Sequence, residues 1–273
     1  MTDFVEESFT VISPRYQHKL SCIFHRKHSP YIDNQNREHL VIICHGYMSH
    51  KNALFLPQLS RDISKSAANQ FHSVRFDFHG CGESTGRDLW DYGGYEDEAK
   101  DDLRYVVEYL RSRSKKYFIR ALIGHSRAGT TVLLYSLYYD DIPIVVNIAG
   151  RYRLERGIKE RFSKKQLDEL EKKGSFIIYT NDNGNFRITK QAIERRKNLD
   201  LSQIEKIRQA KVLNIWGDHD DVMPGDEIYL FHEQLKNTKK SEMIIVSDAD
   251  HCFTGKEQQL INIIQQWIQQ SID

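Results

Sequence analysis

The strongest constraint in this 273-residue chain is the stretch Gly124-His125-Ser126-Arg127-Ala128-Gly129. An apolar run, residues 118–123, precedes it and reads as a short buried strand, and a helix-like run, residues 130–139, begins just after it. This Gly-x-Ser-x-Ala-Gly stretch between a strand and a helix predicts a nucleophile elbow, a turn so tight that Ser126 takes a strained backbone conformation. Gly124 and Gly129 are then required because strand and helix approach closely. The serine hydroxyl projects from the sheet edge, and the helix N-terminus behind it favours developing negative charge. Ordinary Gly and Ser usage produces one such match in a chain of this length roughly one time in ten. Its chemical partners elsewhere in the sequence therefore decide its meaning.

The rest of the chain supplies a rhythm of strands and helices. Residues 9–12 and 20–24 read as two short strands around Ser13-Pro14, an edge hairpin. Residues 40–44 are continuously apolar, as in a central strand covered on both faces. A helix is predicted over 54–69, a strand over 74–78, and an amphipathic helix over 95–113 with Ala99, Leu103, Val106, Val107 and Leu110 on one face. After the Ser126 unit comes a strand at 144–148. The alternation resumes with a strand at 212–216, a helix at 226–236, a strand at 243–246 and a last helix over about 256–270. This order predicts an α/β fold with a mostly parallel, twisted sheet and helices on both faces. Residues 1–150 and 211–273 form its core.

Residues 151–210 break the pattern. They hold 16 Lys and Arg against 9 Asp and Glu, about +7 in a chain whose net charge is +1. Two runs, 176–180 and 186–189, flank Asn181-Asp182-Asn183-Gly184-Asn185 and predict a hairpin. This segment reads as an inserted lid over the C-terminal edge of the sheet, the alternative being an ordinary peripheral subdomain. Its charge reads first as a solvated basic face; the sharper alternative is selection of acidic acyl groups.

Composition bounds the rest. A length of 273 residues suits one large domain or one domain with an insertion. With 28% charged residues and a net charge of +1, neither nucleic acid nor a membrane surface is expected as partner. The cysteines Cys22, Cys44, Cys81 and Cys252 show no metal spacing. No apolar run approaches the ~20 residues of a membrane span, and the acidic start, Met1 to Glu7, lacks an apolar leader. A cytoplasmic, reduced protein is expected, and a homodimer stays open.

A serine hydroxyl needs a base. His251 is the best placed of the twelve histidines, on a loop between a strand and the final helix, where strand ends converge in a parallel sheet. A carboxylate must orient it, and Gly217-Asp218-His219-Asp220-Asp221-Val222-Met223-Pro224 offers three aspartates. The order Ser, Asp, His is that of strand–turn–helix serine hydrolases. Oxyanion donors are expected from the backbone N–H of Arg127 and, in His45-Gly46-Tyr47 after the 40–44 strand, that of Tyr47. The His45 ring then holds that loop. Metal binding by the Asp/His cluster is the weaker reading, because no ligand spacing is present. No metal or organic cofactor is required.

Together with Phe76-Asp77-Phe78-His79-Gly80-Cys81-Gly82-Glu83-Ser84 and Asp250-His251, these motifs resemble the α/β-hydrolase superfamily, and the likeness covers nearly all of the chain outside 151–210. In similar proteins the acid lies three residues after the strand-ending Gly and four before a Pro, which implies Asp220. Within the superfamily the chain resembles the feruloyl (cinnamoyl) esterases and monoacylglycerol-lipase-like enzymes. That resemblance implies a triad of Ser126, Asp220 and His251, supported by His45, Gly46, Gly124, His125 and Gly129. It implies hydrolysis of a small-molecule ester, of feruloyl or short-to-medium acyl type. A thioesterase, a peptidase or a non-catalytic receptor on the same fold are the rivals. Two departures are Arg127, where Gln, Lys or Met is frequent, and Cys81, where His is frequent.

Overall fold

The computed structural model describes residues 4–66, 70–113, 117–181 and 183–272, with Phe4 described by its backbone only. The expected helix end at residue 69, the start of the chain and Asp182 lie outside these residues. Eight strands form one sheet: β1 (Phe4–Ile12), β2 (Lys19–Lys27), β3 (Glu38–Cys44), β4 (His72–Phe76), β5 (Tyr117–His125), β6 (Ile144–Ile148), β9 (Lys211–Gly217) and β10 (Lys240–Val246). Their order across the sheet is β1-β2-β4-β3-β5-β6-β9-β10. The β1–β2 and β2–β4 pairs are antiparallel and all the others parallel. The chain has the α/β-hydrolase fold.

Period-2 alternation within the central strands divides the core into two faces. On β3, Leu40, Ile42 and Cys44 join the cluster beneath helices α3 (Arg104–Ser112), α4 (Arg127–Tyr139) and α8 (Glu227–Gln234). Val41 and Ile43 join the cluster beneath α1 (Leu56–Lys65) and α9 (Glu257–Gln270). Both faces of the parallel strands are therefore covered, which explains their continuous apolar sequence. Between β6 and β9 the chain forms α5 (Ile158–Arg161), α6 (Lys164–Lys173), the antiparallel hairpin β7 (Ser175–Thr180) and β8 (Gly184–Thr189), α7 (Lys190–Lys197) and a 3₁₀ turn, Leu201–Lys206. This segment has its own small core, built on Phe162, Phe176, Phe186 and Ile188 against Trp90 and Tyr92. Asn183 pins the hairpin tip, donating to the Ser49 carbonyl at 2.7 Å and accepting from the Gly82 N–H at 2.5 Å.

Two boundaries differ from the sequence expectation for physical reasons. The strand expected over 74–78 ends at Phe76, where the Asp77 carboxylate turns to the next loop and is held by the Lys51 N–H and Nζ, each at 2.6 Å. The single helix expected over 95–113 is instead α2 (Tyr95–Asp97), a π-helical stretch (Glu98–Leu103) and α3. Its apolar stripe survives, but the wider turn also carries Glu98, Asp101 and Asp102 into buried positions.

Asp102 is fully buried and binds two histidines. Its Oδ1 meets His18 Nε2 at 2.9 Å, and its Oδ2 accepts from His79 Nδ1 at 2.7 Å and from the His79 N–H at 2.8 Å. Burial alone would lower the His79 pKa, but the charge of Asp102, aided by Glu98 and Asp97, raises it to about 9. Asp102 is held down to about 2. A raised histidine stabilises the fold fully below its unfolded pKa of about 6.5 and loses that contribution as pH rises through about 9. The Asp102 contribution is lost only as pH falls through about 2. Unfolding free energy from urea titrations is therefore expected to fall by about 2–3 kcal/mol between pH 6.5 and 9. His79→Asn should flatten that slope; an unchanged slope would refute the assignment.

Candidate active site

The Ser126 turn is built by collision avoidance. Ser126 has φ 56° and ψ −120°, a region that costs a non-glycine residue about 1–3 kcal/mol. Its N–H donates to the Ile148 carbonyl on β6 at 2.7 Å, which anchors the conformation to the sheet. A Cβ on Gly124 would collide with the Ala128 carbonyl, and one on Gly129 with the Asn147 side chain. The motif's glycines thus answer to the close approach of β5, α4 and β6.

The structure brings Ser126, His251 and Asp220 together. Ser126 Oγ and His251 Nε2 lie 2.9 Å apart, and His251 Nδ1 donates to Asp220 Oδ2 at 2.8 Å. Because a carboxylate only accepts, the proton sits on Nδ1 and Nε2 faces the serine hydroxyl as acceptor. Asp220 is fixed in turn, its Oδ1 accepting from the N–H groups of Val222 and Met223 at 2.9 and 2.8 Å. Asp218 is engaged elsewhere, accepting from the Asp248 N–H at 2.7 Å.

His125 and His45 support this arrangement. His125 Nε2 donates to the His251 carbonyl at 2.9 Å, tying the base's loop to the elbow. Burial pushes the His125 pKa down to about 4, so the ring is neutral at pH 7. In the loop after β3, His45 Nδ1 donates to the Gly46 carbonyl at 2.9 Å and Nε2 accepts from the Phe78 N–H at 3.0 Å. Burial lowers this histidine to about 4 as well. In a trans peptide the C=O and N–H point in opposite directions. Holding the Gly46 carbonyl therefore also fixes the direction of the Tyr47 N–H. Cys44 pairs with Gly124, so this loop leaves the sheet beside the elbow. Arg127 opens α4, and a first helical residue has no intrahelical partner for its N–H. The side chains of Tyr47 and Arg127 line one narrow cavity with Ser126.

The Arg127 side chain has a role that its position after the serine does not disclose. It is buried, with Nε donating to Glu98 Oε1 at 2.7 Å and its other nitrogens to the carbonyls of Tyr92 and Asp91 at 2.6 and 3.0 Å. Burial opposes its charge, yet Glu98 more than offsets this and holds Arg127 above its ordinary value. The signal available in sequence is an acid, Glu98, next to the apolar stripe of a helix. Cys81, the other departure, is buried in the small core of the 151–210 segment. Among the described residues, the one metal-type trio is His18, His79 and Asp102. It lines a different cavity from Ser126, and the histidine nitrogens facing the carboxylate are already spent on it.

A larger cavity of about 910 Å³ lies under α5, α6 and α7 and reaches the Asp220–Pro224 loop. Arg151 lies in the walls of both cavities.

Comparison with known proteins agrees with the fold. Residues 39–151 match the profile of a family described as alpha/beta hydrolase fold. Among solved structures, Est1E from Butyrivibrio proteoclasticus, with ferulic acid bound, is 15% identical with a TM-score of 0.74, over 96% of this chain and 98% of that one. The Pyrococcus furiosus esterase Pf2001 is 17% identical with a TM-score of 0.72, over 98% and 91%. The esterase domain of a Rhodothermus marinus protein is 17% identical with a TM-score of 0.66, over 97% and 98%. A search of curated proteins gives no match.

Removing the partner of a buried charge is strongly destabilising. Glu98→Ala is expected to lower the unfolding free energy by about 3–5 kcal/mol in urea titrations, whereas Glu96→Ala, a partly exposed acid on α2, should change it by less than about 1 kcal/mol.

Proposed function

We propose that the chain is a serine hydrolase that cleaves carboxylic esters through an acyl-enzyme at Ser126. The observation that carries this reading is the continuous hydrogen-bonded series Ser126–His251–Asp220, at 2.9 and 2.8 Å, on a serine held at positive φ. Ser126 Oγ attacks the ester carbonyl as His251 Nε2 takes its proton. Asp220 keeps the proton on Nδ1 and stabilises the imidazolium that forms. The N–H groups of Tyr47 and Arg127 receive the oxyanion, and the orienting bond from His45 readies the first of them before substrate arrives. His251 then protonates the departing alcohol. Water, activated by the same histidine, releases the acid.

Segment 151–210 acts as the lid, closing over the 910 Å³ cavity beside Asp220. That cavity shares Arg151 with the narrow cavity at Ser126. Hydroxycinnamoyl and short-to-medium acyl esters are the substrate classes to test first, supported by the shape shared with the ferulate-bound esterase.

Ser126→Ala should lower turnover of p-nitrophenyl butyrate by at least about 10³-fold, and Asp220→Asn by a comparable factor, with folding unchanged by circular dichroism. Retained activity in Ser126→Ala would exclude the serine mechanism. Wild-type protein that neither turns over esters nor reacts with a fluorophosphonate probe would point to a receptor or scaffold. Faster turnover of a matched thioester or amide would move the assignment to a thioesterase or peptidase.

A further inference from the structure

The narrow cavity at Ser126 has an unusual wall. Four arginines line it: Arg127, Arg151, Arg161 and Arg196. Glu98 neutralises Arg127. Among the described residues, none of the other three makes an ion pair. Arg151 is 4% exposed and Arg196 2%, so water does little to solvate either. Arg151 donates one nitrogen to the Val222 carbonyl at 2.6 Å, while its Nε and a second terminal nitrogen are buried with no acceptor. Arg196 reaches the Arg156 carbonyl at 3.3 Å and the Tyr95 hydroxyl, while its Nε is buried without an acceptor. Arg161 stacks over the Tyr47 ring at 4.8 Å. The hydroxyls of Tyr47 and Tyr92 are buried without partners too.

The charge of Glu227 acts on Arg151 and partly offsets it, and the Glu227 Oε1 is itself buried without a hydrogen-bond partner. Its Oε2 accepts from the Tyr152 and Arg153 N–H groups at 2.7 and 2.8 Å. Burial first, then the like charges of Arg196 and Arg161, pull Arg151 below the ordinary arginine range. The lysines of the segment behave differently: Lys164, Lys165, Lys172 and Lys173 all face solvent. The basic character of 151–210 thus includes both a solvated lysine face and an inward arginine cluster.

Buried guanidinium donors without acceptors are costly. Their planar fork matches a carboxylate or a phosphate. We propose that Arg151, Arg161 and Arg196 form an anion site beside Ser126, so that the preferred substrate is an ester carrying a carboxylate or phosphate group near the scissile bond. This rests on the esterase reading of Ser126. The anionic group docks on the arginine cluster, and the ester carbonyl is thereby placed against Ser126 Oγ. In this structure the cavity holds only about 10 Å³, room for roughly one water molecule. Its wall must therefore open as substrate enters.

The test uses the whole chain at constant ionic strength and compares kcat/KM for matched esters. Phenyl hexanoate is paired with phenyl hemiadipate, which places the anion on the acyl side. Phenyl butyrate is compared with its 4-carboxy and 4-phosphate derivatives, which place it on the alcohol side and separate carboxylate from phosphate. At least one anionic ester is expected to be favoured by about tenfold or more. That preference should collapse towards unity in Arg151→Gln and in Arg161→Gln; the latter residue is only half-buried and serves if the former fails to fold. Ratios within about twofold of unity in every comparison, or preferences unchanged in a folded variant, overturn the anion site and leave the esterase reading intact. If no ester is turned over, the esterase reading fails on its own, and titration calorimetry with adipate and inorganic phosphate then judges the site. Saturable binding that Arg161→Gln abolishes supports it; no saturable binding of either anion overturns it.

Discussion

The structure depends on one strained residue. Ser126 sits at positive φ because β5 must reverse into α4 within a single position, and its N–H is tethered to the end of β6. Everything around the proposed reaction centre is arranged about that fixed point. The base reaches it from the loop after β10, the acid from the loop after β9, and the Tyr47 amide from the loop after β3. Parallel strands bring these loops to one edge, so residues 47, 126, 220 and 251, far apart in sequence, meet there.

A second layer fixes the loops themselves. His45, His125 and Asp218 each spend a side chain on backbone groups of neighbouring turns. Lys51 and Asp77 form a buried pair that joins the loops after β3 and β4. Burial keeps the two histidines neutral, so each offers one donor and one acceptor and can bridge two turns without bringing charge into the core. The 151–210 segment is held from outside by Asn183 at its hairpin tip and by the Arg195–Asp97 pair.

Much of this is legible in the sequence because the signals are local. Apolar runs at 40–44 and 144–148 mark strands covered on both faces, and the Gly-x-Ser-x-Ala-Gly turn declares the backbone geometry that its glycines permit. Resemblance, rather than spacing alone, selects Asp220 over Asp218 and Asp221, and among the described residues Asp220 is the one hydrogen-bonded to His251. The features hidden from sequence depend on contacts between distant segments. Glu98 pairing with Arg127, Asp102 gathering His18 and His79, and the convergence of Arg151, Arg161 and Arg196 all need the tertiary structure to be seen. A charge count over 151–210 gives their sum but not which of them turn inward.

The π-helical stretch at Glu98–Leu103 sets the rotational phase of α3. Before it, Tyr95 packs beside the proposed site; after it, Val106, Val107 and Leu110 sit in the core. A regular α-helix turns about 100° per residue. Deleting one residue from this stretch to regularise it would swing either the carboxylates or the apolar stripe out of place. The wider turn therefore acts as a gearing element: the same helix keeps the apolar stripe of Ala99, Leu103, Val106, Val107 and Leu110 in the core and also carries the carboxylates of Glu98, Asp101 and Asp102 inward.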